Sequence, residues 1–598
     1  MDIYFHPFVI PFTLGVLFLL VVLLYRYANW FADLTPQDRG TFLKSIFTRK
    51  TLISIRECVT ECLLHLKIYR VNLRLGYMHM SLALGWFLLI LVGWLETAAI
   101  LSDQIVPLYV HVFFRFFVPV TPDNVAHVID YAPIMDALLL IILISVALAV
   151  IKRFKSTILG MRKATKHTLA DRFALTSLWL IFPVRLLAES ATCGIHRGGS
   201  FLTYSVGSFL SGLLPIEYLE LPLWWLYSIV LCVFMVSLPF SRYLHIFAEI
   251  PHIFLKNYNI RPKNTPSAID EFQIAACSRC GICIDPCQMQ SSAGVNNMQS
   301  VYFLRDCREG NLTQKIADNC LMCGRCEQRC PVGIDLNSIR LNRRQGSVPR
   351  IGLNPYGYAS QIDTSQGSGK VGYFAGCMTS LSPRILHSME RIFKSADEQV
   401  WWADRDGGIC CGRPLMLAGD IEGAKKMMQF NTELFLKHQI ETLVTSCPIC
   451  LKVFKEEYKL QGIRVLHHSE YIEELIAQKR LQLERNSHTV TYHDPCELGR
   501  GCGIYTAPRN VIESVAILRE AAQNSEQGLC CGASLANTVI ETPQVYKIAT
   551  DAAAQFDSTG AEILVTACPL CKKSFAKVSQ IPVKDLSELV SESIKANI

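Results

Sequence analysis

The sequence predicts an α-helical membrane bundle followed by a cysteine-patterned helical segment and a duplicated α/β domain. Three observations carry that prediction: apolar runs confined to the first 255 residues, two regularly spaced cysteine runs between residues 277 and 330, and a repeated set of cysteine words beyond Gly346. Of 598 residues, 51% are hydrophobic, 18% are charged and 24 are cysteine. That composition excludes a disordered chain, and the length excludes a small disulfide-stapled domain. A mean hydropathy of +0.26 is high for a soluble enzyme and assigns part of the chain to lipid. The net charge is 58 − 51 = +7, with 20 Lys+Arg against 15 Asp+Glu up to Leu255 and 38 against 36 afterwards. The basic excess lies in the hydrophobic part, so it does not indicate nucleic acid.

Charge-free apolar runs are long at Ile3 to Tyr25, Leu75 to Leu95 and Leu221 to Ser241. Each can cross about 30 Å of hydrocarbon at 1.5 Å per residue. Ala137 to Ile151, extended back past Asp136, and Phe173 to Leu187, which contains Arg185, bring the count to five. The spans fall at about 5–27, 75–97, 133–152, 172–190 and 221–247, in a membrane domain of residues 1–255. Residues 26–74 carry nine Lys/Arg and 152–172 carry seven, whereas 102–132 and 191–221 carry one each, Arg115 and Arg197. This asymmetry expects the N-terminus outside, the two basic loops inside and everything after the fifth span in the cytoplasm. No basic segment precedes the first apolar run, which reads as a retained anchor in a multi-pass inner-membrane protein.

Ionisable groups in a span are costly and mark function. His79, in GYMHMSLALGW, lies near the cytoplasmic end of the second span, and His245, in PFSRYLHIFAEIPH, at the cytoplasmic end of the fifth. Two imidazoles at matched depth on different helices are what bis-histidine ligation of a b-type haem requires. The alternative is a pair of interfacial histidines bonded to headgroups or backbone. This segment resembles the five-helix membrane subunit of respiratory nitrate reductase and its relatives in heterodisulfide reductase, a family that commonly holds two haems. Leu89 and Tyr227 stand where an outer pair of ligands would fall, so the expectation is one haem b near the cytoplasmic face. His65, His111, His127, His196 and His252 are the remaining candidates for ligation or quinone contact, and Arg185 either faces a propionate or snorkels outward.

In a reducing cytoplasm the cysteine count argues for metal rather than disulfides. CSRCGICIDPC supplies Cys277, Cys280, Cys283 and Cys287, and CLMCGRCEQRCP supplies Cys320, Cys323, Cys326 and Cys330. The C-x2-C-x2-C-x3-C spacing lets three thiolates wrap one cubane while the fourth reaches its neighbour, and two such runs make an α-helical dicluster ferredoxin, expected over residues 256–346. A zinc site gives no reason for the triple spacing twice. The ferredoxin resemblance implies that Cys277, Cys280, Cys283 and Cys330 hold one 4Fe–4S cluster, and Cys320, Cys323, Cys326 and Cys287 the other. Gln288 replaces the proline usual after the fourth cysteine of the first run.

Beyond Gly346 an internal repeat appears. GYFAGC, DGGICCG and LVTSCPIC supply Cys377, Cys410, Cys411, Cys447 and Cys450, and TYHDPC, EQGLCCG and LVTACPLC supply Cys496, Cys530, Cys531, Cys568 and Cys571. The gaps are 32 and 35 residues in one copy and 33 and 36 in the other, which marks a duplicated site over 347–480 and 481–598. Short β-rich runs lead into the cysteine loops and helical stretches follow, so the thiols sit on loops at strand ends. Five thiols exceed what one cubane needs. The pattern resembles the cysteine-rich CCG domain of heterodisulfide reductase catalytic subunits, and that resemblance implies two noncubane 4Fe–4S clusters that grip and cleave a disulfide, with all ten cysteines as cluster-borne catalytic ligands. The alternative is a cubane, zinc or no metal in one or both copies.

Of the six cysteines left over, Cys58, Cys62, Cys193, Cys232 and Cys307 read as small apolar residues, and Cys502 is the redox candidate. His493 and Asp494 either deliver a proton to a leaving thiolate or hold the loop before Cys496. No G-x-G-x-x-G follows a strand, and GSGK at Gly367 to Lys370 lacks both the first glycine and the Ser/Thr of a P-loop, so it reads as linker. The whole resembles a single-chain fusion of the membrane and catalytic subunits of heterodisulfide reductase. Similar layouts occur in the membrane complex serving dissimilatory sulfite reductase and in iron–sulfur oxidoreductases that pair with electron-transfer flavoprotein. The expected activity is electron transfer between the quinone pool and a cytoplasmic two-electron substrate, either a disulfide or persulfide cleaved at the repeats or an electron-transfer flavoprotein docked on them.

Overall fold

The computed structural model describes residues 4–101, 106–119, 130–161, 165–262, 267–344, 362–407, 409–535 and 540–595. By contacts the chain divides into two compact units. The first comprises 1–263, 267–285 and 330–334; the second comprises 264–266, 286–329 and 335–598.

Five helices of the first unit are long and apolar enough to cross a membrane: α1 (Val9–Ala32), α2 (Leu73–Ile100), α3 (Ala132–Phe154), α4 (Leu169–His196) and α5 (Glu217–Ser237), the last continued by a 3-10 turn to Phe240. Side chains seal the helix starts. Asn72 accepts from the Leu75 amide at the head of α2, and Thr168 and Asp171 form a capping box on α4. Small residues let helices approach closely: a Cβ on Gly15 of α1 would lie 2.9 Å from Cys232 Cα of α5. The fifth span differs from the sequence expectation of 221–247. Pro239 and an extended Ser241 interrupt it, and a separate helix, α6 (His245–Asn257), begins at His245. A proline has no amide to continue the ladder, so the chain turns before His245.

In the second unit the two cysteine-rich copies fold alike. One holds β1 (Val371–Phe374), β2 (Val400–Trp402), β3 (Thr442–Thr445) and β4 (Arg464–His467) in the order β2-β1-β3-β4. The other holds β5 (Thr489–His493), β6 (Ile517–Leu518), β7 (Ile563–Thr566) and β8 (Val583–Asp585) in the order β6-β5-β7-β8. Every strand pair is parallel. In such sheets the crevice forms at the carboxyl ends of the strands where the order reverses, between β1 and β3 and between β5 and β7. The linker GSGK leads into β1, and Gln366 just before it pairs with Trp402.

The copies are not separate globules. One core joins Tyr373, Met389 and Ile472 to Tyr492, Val511 and Leu589. Helix Pro383–Ser395 of the first copy packs on helix Leu586–Glu592 of the second, and helix His468–Ala477 on Thr506–Val515. First helix on last and last helix on first is the reciprocity of an approximate twofold.

Candidate functional site: thiol centres and a histidine pocket

The two ferredoxin runs exchange their fourth cysteine. Cys330 belongs to the same compact unit as Cys277, Cys280 and Cys283, and Cys287 to that of Cys320, Cys323 and Cys326. The division of the chain by contacts runs through the expected segment 256–346. Burial pushes Cys330 up to about 12, with Cys280 and Cys277 adding to the rise, and burial pushes Cys287 up to about 12, with Cys320 and Cys323 adding. Thiols this dry ionise only beside a cation.

Around them the donors are arranged for thiolate. Amides of Ile334 and Gly333 point at Cys330, and those of Met289 and Gln290 at Cys287. The Met322 amide and the Ser300 hydroxyl each donate at 3.3 Å, to Cys320 Sγ and Cys326 Sγ. Both loops store the same strain: Arg279 and Met322, each before the second cysteine of its run, adopt φ of 54° and 52°, followed by Gly281 and Gly324 at 90° and 73°. These donor sets fit an iron–sulfur cluster.

In each cysteine-rich copy the five thiols converge beyond the carboxyl ends of three strands. Cys410 lies within hydrogen-bonding distance of Cys377 and Cys411, Cys411 of Cys450, and Cys450 of Cys447. Cys530 does the same with Cys496 and Cys531, Cys531 with Cys571, and Cys571 with Cys568. In both copies the first cysteine is half-buried and the other four are buried. The copies face each other across Cys447 and Cys568, which lie within electrostatic reach of one another. Cys323 of the ferredoxin set lies within hydrogen-bonding distance of Cys530. Arg500 donates to Cys323 O at 2.6 Å and to Gly528 O at 2.9 Å, putting a guanidinium beside both thiol sets.

His493 donates or accepts through both ring nitrogens, 3.1 Å from Leu529 O and 3.1 Å from Thr566 Oγ1, and burial keeps it below the ordinary histidine range. Asp494 takes a two-point pair from Arg509 at 2.7 and 2.9 Å. Both are tied by hydrogen bonds in the loop before Cys496. Cys502 packs against the shared core, and burial pushes its thiol up to about 12.

The first unit contains a pocket lined by Glu61, His65, His79, His245, Glu249, Ser278 and Pro331, among others. His79 Nε2 is buried and has no hydrogen-bond partner among the described residues. His245 Nδ1 lies 2.7 Å from Arg242 O, which fixes the tautomer with Nε2 as the lone-pair nitrogen. These donors fit a haem iron. Of the remaining candidates, His65 is at the pocket: its ring stacks on His79 with centroids 5.6 Å apart, and its Nδ1 lies 3.2 Å from Leu63 O. His65 lies in a left-handed turn outside any span, so no periodicity signals it. Ser278 and Pro331 are the neighbours of Cys277 and Cys330, so the pocket adjoins the first thiol set. Asp171 holds that loop by binding Arg279 at 3.0 and 3.1 Å and the Arg242 amide at 2.7 Å.

Of the other histidines, His111 and His196 do not line the pocket, His252 is buried on α6, and His127 lies outside the described residues. Arg185 does not snorkel: it is 7% exposed and pairs with Glu189 at 2.9 Å and with Tyr227. Glu96 and Arg115 form a second buried pair at 2.9 Å. Leu89 and Tyr227, at the positions of an outer haem pair, are both buried side chains of the helix core.

The family model of the cysteine-rich domain (CCG) matches residues 371–455 and 490–576, and that of the 4Fe–4S dicluster domain matches 276–335. The chain is 25% identical over 411 residues to a subunit of the dihydromethanophenazine:CoB–CoM heterodisulfide reductase of Methanosarcina barkeri, covering 56% of this chain and 98% of that protein. It is 24% identical over 279 residues to a subunit of the fumarate reductase (CoM/CoB) of Methanothermobacter marburgensis, covering 42% and 55%. It is 23% identical over 454 residues to EtfAB:quinone oxidoreductase of Syntrophomonas wolfei, covering 58% and 63%. The chain is thus a fusion of membrane-length helices, a 4Fe–4S dicluster domain and duplicated CCG cysteine-rich domains, an iron–sulfur redox protein related to the heterodisulfide reductases.

Proposed function

We propose that the protein is a quinone-linked membrane oxidoreductase that passes electrons between the quinone pool and a disulfide or persulfide at the cysteine-rich copies. The observation that carries this reading is the confrontation of Cys447 and Cys568, one from each copy, at the strand ends where two complete sets of five thiols gather. Two equivalent sites facing each other suit a substrate with two equivalent sulfurs. Each set of five thiols is assigned a noncubane 4Fe–4S cluster, and the ferredoxin sets are assigned two cubanes. Clusters, when bound, supply one-electron steps and iron that accepts sulfur.

His79 and His245 are assigned as the axial ligands of one haem b. The charge of the basic loops supports a cytoplasmic location for this pocket and for all four clusters. The chain's own task is positional. Arg500 holds a positive charge between Cys323 and Cys530, and the paired amides at Cys287 and Cys330 lower the cost of anionic sulfur.

A second reading is favoured by the likeness to a protein named EtfAB:quinone oxidoreductase. In it the copies dock an electron-transfer flavoprotein and relay electrons without breaking a disulfide. The experiment is to reduce the purified full chain chemically and add, separately, small disulfides, persulfides and oxidised electron-transfer flavoprotein. Reoxidation by a disulfide or persulfide supports the first reading, reoxidation by the flavoprotein alone the second, and reoxidation by none sinks both.

A further inference from the structure

His467 and Asp585 occupy equivalent places in the two copies: each ends the last strand and caps the last helix, accepting from the Ser469 amide at 3.3 Å and the Ser587 amide at 2.9 Å. Where the copies join, the rings of His467 and His468 lie 4.3 Å apart, and His468 Nε2 lies 3.5 Å from Asp585 Oδ1. All three side chains are 0% exposed. The protein does not satisfy every polar atom there. Both nitrogens of His468, Asp585 Oδ2 and the hydroxyl of Tyr492 have no hydrogen-bond partner among the described residues.

Buried polar groups are almost always partnered by protein or ordered water, so four orphan atoms at one junction point to water that bridges them. The junction also adjoins the thiols. The His467 ring faces the backbone of Ser446 and Ala567, the residues immediately before Cys447 and Cys568. Tyr373, whose hydroxyl lies 2.7 Å from Ser446 Oγ, is within electrostatic reach of both Asp585 and Cys447. On the other side Lys572 and Glu588, ion-paired and with 15% and 7% of their side chains exposed, connect Asp585 toward solvent. Burial raises Asp585 to about 6 and lowers His468 to about 3, so a proton taken up at the junction sits on the carboxyl and not on the imidazole.

We propose that Asp585, His468 and His467, bridged by ordered water, are a buried proton store that feeds the sulfurs released between the two cysteine-rich copies. The inference rests on the disulfide-cleaving reading. The step is R–S–S–R′ + 2 e⁻ + 2 H⁺ → R–SH + R′–SH. The sulfur–sulfur bond breaks and two S–H bonds form. A quinol is the reductant, and the junction delivers the two protons one after the other past Tyr373 and Ser446, the Asp585 carboxyl being reprotonated through Lys572 and Glu588 in between.

Two measurements on the full chain test it. A map that resolves ordered solvent should show water bridging Asp585 Oδ2, His468 and the Tyr492 hydroxyl; a dry junction overturns the proposal. In Asp585→Asn and His468→Gln, disulfide-driven reoxidation of the chemically reduced protein should slow about 10²-fold with an increased solvent isotope effect, while reduction by a dye is unchanged. Asp585→Glu should recover most of the rate. Wild-type protein that ignores every disulfide removes the disulfide reading itself. Wild-type protein that reacts, with both variants equal to it, removes only the proton store.

Discussion

Gln288 binds the backbone of Cys530 at two points, donating from Nε2 to the carbonyl at 3.1 Å and accepting from the amide at Oε1 at 2.7 Å. The residue that breaks the ferredoxin pattern is thus the strap between Cys287 of the dicluster segment and the double cysteine of the second repeat. A proline at this position has no side chain that could make either bond.

Gln288→Leu leaves the buried Cys530 amide and carbonyl without partners, which costs about 1–3 kcal/mol for an orphaned group. The expected outcome is a lower thermal midpoint for the cysteine-rich unit and a perturbed cluster signal in electron paramagnetic resonance, with the membrane helices unaffected by circular dichroism. An unchanged midpoint and signal would show that the strap contributes nothing.

A b-type absorption spectrum in purified protein should vanish in both His79→Ala and His245→Ala. His65→Ala tests the stacked neighbour: it should retain the spectrum while shifting the haem midpoint potential. A full spectrum in either of the first two variants, or its loss in His65→Ala alone, reassigns the axial pair.

Iron analysis should give about 16 non-haem irons per chain, four for each of four clusters. Cys411→Ser and Cys531→Ser should each bring this toward about 12 and leave the ferredoxin signals intact. A wild-type value near 8 would remove clusters from the repeats.

Arg115→Met isolates Glu96, which is 3% exposed and whose ion-pair partner at 2.9 Å is Arg115. Removing one member of a buried pair costs about 3–5 kcal/mol, whereas replacing both with apolar residues of similar volume is near neutral. The single variant should be far less heat-resistant in detergent than the double variant Glu96→Leu/Arg115→Met. Equal loss in both would show that the pair itself, and not the stranded carboxylate, is what matters.

Apolar run length and cysteine spacing carried most of the architecture, because lipid thickness and cluster size each impose a period on the chain. The strand runs before Cys377, Cys447, Cys496 and Cys568 became β1, β3, β5 and β7 with their thiols at the carboxyl ends. The break before His245 was harder to read, since Pro239 lies inside an apolar run that continues to Ser241. Gln288 looked like a lost proline because its partner is 242 residues away. The polar junction at His467 and Asp585 has no local signature at all: each residue is an ordinary helix cap until the two copies meet. Pairings that close over hundreds of residues leave no period in either segment.

The exchanged fourth cysteines also constrain how the protein can be made. The first compact unit is left one thiol short until Cys330 leaves the ribosome, 47 residues after Cys283, by which point the other set has already ended at Cys326. Both sets of thiols are therefore completed within four residues of synthesis. A gene cut anywhere from Cys283 to Arg329 yields a membrane fragment with three of the four thiols of its set. Splitting such a chain in two requires moving a cysteine as well as a stop codon.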